Sequence, residues 1–359
     1  MPGAAIVDDL AATKRAPWPP ARIFLVGVAI WLVGTAVTSA TKDIILVPVV
    51  IVAGSFTIPV AIVVTLLRRG GRPVGTVMAP GVVVEAFLGA GTLGLLLAAL
   101  LESYLLPSKV GTSVVVGLIE ETCKGLVIVL AARQLRSRAP LDGMVLGAVV
   151  GAGFGAFESA GYAFHAYISS GTDAPFASLV QSQISRALVT PLGHMLWSSI
   201  LGGVLFAAVG RPGSRVQTGV VATFVGVIAL HVAWDLSDGF ALMLASGFTR
   251  EGWHGGWPDA AAWADQPTPL QLNLFNALYD GLLLVVGLVG TLWFARRWRC
   301  ARGAGARQMG IVTSNDVPAP TTLTTFMVPP SASTRSRSPM RPEPLPASAP
   351  PMPSSRMAT

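Results

Sequence analysis

The chain has 359 residues, of which 52% are hydrophobic and only 12% charged, about half the charged share of an ordinary soluble domain. Its formal charge of +7 does not describe a nucleic-acid binder, because Lys and Arg fall in short clusters between apolar runs and gather on no one surface. The two cysteines, Cys123 and Cys300, are far apart and form no CxxC, which speaks against a disulfide framework or a thiolate zinc site.

The first 21 residues hold Asp8, Asp9, Lys14 and Arg15 and no short apolar core with a cleavage site, so they read as a cytoplasmic segment. Eight apolar runs of membrane-spanning length follow, near 22–41, 44–67, 78–101, 111–132, 143–166, 187–209, 217–236 and 273–295. Basic residues cluster before the first run and after the second, fourth, sixth and eighth, for example Arg68 and Arg69, Arg133 and Arg136, and Arg296 and Arg297. That alternation predicts an even number of spans with both termini in the cytoplasm of a bacterial plasma membrane protein. Residues 237–272 form an extracytoplasmic loop by this reading, with Trp253, Trp257 and Trp263 suited to the membrane interface. From 303 to 359 the chain is rich in Pro, Ser, Thr and Arg and reads as a disordered cytoplasmic tail. The expected fold class is therefore all-α, a polytopic integral membrane protein whose domain spans 22–302.

Four successive spans carry ionisable groups, which are expensive in lipid and ask for a reason. Span 4 holds Glu120, Glu121 and Lys124; span 5 holds Glu158; span 6 holds His194; span 7 holds His231 and Asp235. Counted from the outer ends of their alternating helices, the Glu and His residues lie about five to nine residues deep, a layer roughly 8–14 Å down. Residues four apart share a helix face, which pairs Glu120 with Lys124, His231 with Asp235 and Glu158 with Tyr162. Arg186, Thr190 and His194 also share a face, although Arg186 by itself reads as an interfacial anchor. Gly147, Gly151 and Gly155 repeat at four and allow close approach of a neighbouring helix. Glu85 falls outside the layer, and His165 and His254 lie near the outer surface.

Adjacent buried carboxylates resist ionising together, which suits one of them to general-base work while histidines hold a metal or steady an oxyanion. That equipment fits amide hydrolysis. The alternative use of the same residues is a proton- or cation-coupled transporter.

The motifs EETCK (Glu120–Lys124), FGAFE (Phe154–Glu158), His194 and HVAWD (His231–Asp235) resemble the PrsW family of intramembrane proteases, relatives of the CAAX-prenyl and bacteriocin-processing group. The resemblance covers spans 4 to 7, with the motif-bearing core at about 111–236. It implies a glutamate-dependent endopeptidase that cuts membrane-anchored protein substrates near the outer face, an anti-sigma factor in the best-known members. Carried across by position, Glu120, Glu121, Glu158, His194 and His231 are the expected catalytic residues, with Lys124 and Asp235 in support. Glu158, His194 and His231 are the expected set for a divalent metal such as zinc, although no HExxH is present. The second motif has Glu158 where CAAX-type relatives have His, and the fourth ends in Asp235 where Asn is frequent.

Overall fold

A computed structural model describes residues 18–70, 78–106, 112–135, 139–170, 174–209, 213–249 and 268–308. Among these residues there is no strand, and the apolar runs form helices in chain order. Helix α1 is Pro20–Thr41, and a short 3-10 turn leads into α2, Val47–Gly70. Helices α3 (Pro80–Gly89) and α4 (Leu95–Leu105) are halves of one stretch joined by a π-turn at Ala90–Gly94. Then come α5 (Thr112–Ala132), α6 (Pro140–Ser169), α7 (Pro175–Val189), α8 (His194–Ala208), α9 (Ser214–Asp235), α10 (Ser237–Thr249) and α11 (Pro269–Gln308).

Among the described residues, seven helical stretches are long and apolar enough to cross a membrane. They correspond to the expected spans 1, 2, 3, 5, 6, 7 and 8. The expected fourth span is α5, a 21-residue helix long enough to cross (roughly 31 Å) but burdened mid-length by Glu120, Glu121 and Lys124. The chain is thus an all-α polytopic membrane protein.

Helix α6 is the axis of the bundle: 89% of its apolar window is buried, against 6% for α1. A glycine seam explains how it sits there. A Cβ added at Gly147 would collide with the backbone of Ser198, and one at Gly151 with the His194 carbonyl. Across the same contact, one at Gly202 would strike the Gly143 carbonyl. Small residues let α6 and α8 touch backbone to backbone, the means by which helices associate where lipid provides no hydrophobic drive. On the opposite side of α6, a Cβ at Gly153 would collide with the backbone of Phe87. The outer helices turn residues such as Leu25, Leu93, Leu284 and Leu292 outward, as lipid contact requires.

Three expectations change. The sixth span begins earlier than 187 and is broken: α7 ends at Val189, a 3-10 turn covers Thr190–Leu192, and α8 restarts at His194. Pro191 withholds a backbone donor there and Gly193 adopts φ −103°, ψ −110°, so the helix cannot run through. The expected loop at 237–272 contains α10, whose buried Ala241 and Ala245 make a face that packs on α11. Trp253, Trp257, Trp263 and His254 lie outside the described residues. Helix α11 continues past 303 to Gln308; its 40 residues, about 60 Å, are twice the hydrocarbon thickness. The N-terminal segment to residue 17 and the tail beyond 308 also lie outside the described residues.

Candidate active site

The centre of the site is Lys124, fully buried on α5. Its ammonium reaches Glu121 Oε1 at 2.7 Å and Glu120 Oε2 at 3.1 Å, one helical turn back along the same helix. It also donates to His194 Nδ1 at 2.8 Å and stands 4.3 Å from the Phe154 ring centroid. A buried ammonium is tolerable only when paired and hydrogen-bonded, and here three groups and a ring face supply that.

An ammonium can only donate, so His194 Nδ1 must accept and the ring carries its proton on Nε2. That nitrogen faces Glu158 Oε2 on α6 at 2.8 Å. The same oxygen lies 2.9 Å from Arg186 Nη2 on α7. Arg186 donates from Nε to Ser159 Oγ at 3.0 Å, and its guanidinium covers the Tyr162 ring at 4.2 Å. Gly151 and Gly155 bring the backbone and ring of His194 against α6, so the glycine seam and the broken span together present this imidazole at a helix start.

On α9, His231 Nδ1 meets Glu121 Oε1 at 2.9 Å and donates to it. Its Nε2 lies 3.6 Å from both Glu120 Oε2 and Asp235 Oδ2. Glu121 is wholly buried, and its second oxygen has no hydrogen-bond partner. Trp197, one turn beyond His194, packs against both rings, with centroids 5.5 Å from His194 and 5.1 Å from His231.

Every expected site residue therefore falls in one connected cluster on α5, α6, α8 and α9. Glu85 is elsewhere, hydrogen-bonded to Gln134, and His165 pairs locally with Ser169. Arg186 is not a simple interfacial anchor: its charge is spent on Glu158. Its spacing of eight from His194 was the signal. Trp197 gave none beyond sitting one turn from a motif His. Glu102, at the end of α4, was also overlooked; one of its oxygens is buried without a partner, within electrostatic reach of Glu120 and Asp235. An acid just past the outer mouth of span 3 was its only mark.

A divalent metal can be tested against these residues. Glu120, His194 and His231, all buried, offer ligand atoms within 4.8 Å of one another. Two imidazoles and a carboxylate form a donor set that catalytic zinc sites use. The set differs from the expected one: Glu120 replaces Glu158, because Glu158 lies beyond His194 and is taken up by Arg186. The cluster is already built around a positive charge, since Lys124 bonds two of the three donors. Its chemistry fits a cation that takes the place of the Lys124 ammonium at Glu120 and His194, whose Nδ1 lone pair the ammonium otherwise engages.

Helices that bury carboxylates and imidazoles together in a membrane domain define a polytopic protein with a hydrolytic type of site. Residues 47–250 match the family model described as PrsW family intramembrane metalloprotease. The chain belongs to that family, and it is an intramembrane protease embedded in a lipid bilayer among membrane substrates. No curated protein and no solved structure matches it.

Proposed function

We propose that the chain is a glutamate-dependent, metal-assisted endopeptidase that hydrolyses membrane-anchored proteins near the extracytoplasmic face of a bacterial plasma membrane. An anti-sigma factor is the substrate class that the family likeness suggests. The observation that carries the reading is Glu121: one oxygen is clamped by Lys124 and His231, and the other is buried with no partner.

Glu120, His194 and His231 would hold a divalent metal such as zinc. When bound, it supplies Lewis-acid polarisation of a carbonyl and of water. The free oxygen of Glu121 takes the proton from water and delivers it to the leaving amine. Lys124 and His231 hold one oxygen of Glu121 and so orient the other. The Glu158–Arg186 pair holds the far side of His194, so Glu158 acts here as a positioning residue. Asp235, more exposed than the rest, lies beside His231 Nε2 at the open side of the cluster.

The test compares membrane-protein fragments, by mass spectrometry, in cells carrying the native chain or Glu121→Gln. Substrate fragments should disappear with the variant while protein abundance and bound metal stay unchanged. Fragments that persist at native levels would refute the role given to Glu121.

A further inference from the structure

Lys124 and a divalent metal would draw on the same atoms. The ammonium donates to Glu120 Oε2 at 3.1 Å and to His194 Nδ1 at 2.8 Å, and these residues are two of the three that could hold the ion. At Glu120 two cations can share, since a carboxylate oxygen has more than one lone pair. At His194 they cannot. A neutral imidazole has one nitrogen with a lone pair, and here it is Nδ1, because Nε2 carries the proton toward Glu158 Oε2 at 2.8 Å. Arg186, 2.9 Å from that same oxygen, holds Glu158 in place, so the ring cannot turn its other nitrogen to an ion without giving up this contact.

Zinc bonds imidazole nitrogen and carboxylate oxygen at about 2.0–2.2 Å. An ion on His194 Nδ1 would therefore stand within about 5 Å of the present ammonium position, and two cations that close in a buried site repel. Lys124 is wholly buried, so its charge cannot withdraw to water. One place remains for it. Its shortest contact, 2.7 Å, is to Glu121 Oε1, which is not among the metal donors, and the Phe154 ring centroid is 4.3 Å away.

We infer that Lys124 is a built-in competitor for the metal: it holds Glu120 and His194 together until an ion arrives, then releases His194 and stays on Glu121 and the Phe154 face. The inference rests on the reading of Glu120, His194 and His231 as the metal donors. Loading the site is then an exchange of one cation for another, and the metal is held less tightly than free donors would hold it. The fold does not wait for the ion, because Lys124 already offsets the buried carboxylates. Glu121 keeps the same partner throughout, so its unpartnered oxygen is aimed alike in both states.

The zinc affinity of the purified full chain, measured by competition with a chromophoric chelator, tests this and needs no protease substrate. Lys124→Met should bind zinc at least about tenfold more tightly than the native chain, the size expected when one charged hydrogen bond no longer has to be broken. Should that variant not fold, Lys124→Met with Glu121→Gln, set against Glu121→Gln alone, makes the same comparison with the charges balanced, and the same gain is expected. A crystal structure of the zinc-soaked native chain reads the exchange directly. There Lys124 Nζ should lie beyond about 3.5 Å from His194 Nδ1 and still donate to Glu121. Equal or weaker zinc binding without Lys124, or an ammonium still on His194 Nδ1 in the zinc-bound chain, would overturn the inference and leave the metal reading standing. Zinc binding that is absent from the native chain and every variant, or that persists undiminished in Glu120→Gln with His231→Ala, would instead remove the metal reading and this inference with it.

Discussion

Lys124 is the residue on which the cluster depends electrostatically. Removing one partner of a buried ion pair strands the other charge, at a cost of about 3–5 kcal/mol, whereas removing both is far cheaper. Lys124→Met should therefore lower the melting temperature of the purified protein sharply, and adding Glu121→Gln should restore part of the loss. An additive double-variant cycle would show that the pair at 2.7 Å contributes little. The two glutamates separate by a different readout. Glu120→Gln and His231→Ala should lose bound zinc and cleavage together, measured by elemental analysis of the purified chain and by fragment release. Glu121→Gln should lose cleavage alone. Neighbours in sequence thus receive different roles: both reach Lys124, but only Glu121 is also hydrogen-bonded to His231 Nδ1, while Glu120 lies 3.6 Å from His231 Nε2.

At the scale of elements, the site is a consequence of how closely α6 and α8 approach. Gly151 has no room for a methyl group, since a Cβ would strike the His194 carbonyl. Gly151→Ala should push α8 away from α6, destabilise the protein by about 1–3 kcal/mol and reduce cleavage, both followed on the same preparation. Gly161, with open space around it on the same helix, should accept alanine with little change in either. The break before His194 was only half visible beforehand. Pro191 and Gly193 are ordinary helix-stopping signals, yet the long apolar run around them reads as one uninterrupted span. Irregular backbone at membrane depth persists where protein surrounds it, and here Thr190 is buried against Gly155.

At the scale of the whole molecule, the spans were legible because each must satisfy its own backbone in lipid, so length and apolarity alone announce it. The sidedness rests on the basic clusters between them. It predicts that a fluorescent protein fused at the C-terminus glows in the cytoplasm. Alkaline phosphatase fused after Leu106 should be active, because that end faces outward. An inactive fusion there, with an active one at the C-terminus, would invert the topology. Helix α11 is consistent with an inward end, since Arg296, Arg297 and Arg299 sit where its roughly 60 Å outrun the bilayer.

By itself the sequence determined the all-helical membrane class, the spans and the set of ionisable residues, because charge in lipid is conspicuous and helix periodicity places residues four apart together. Depth along each helix even brought Glu120, Glu158, His194 and His231 to one level. What no spacing could decide was which way each helix is rotated and which partners meet. Only the tertiary structure joined Lys124 to His194 across 70 positions and drew Glu158 away to Arg186. It also left a single oxygen of Glu121 free. Those outcomes depend on packing between helices, above all the glycine contact of α6 with α8, and contacts between segments far apart in the chain leave no periodic trace within either one.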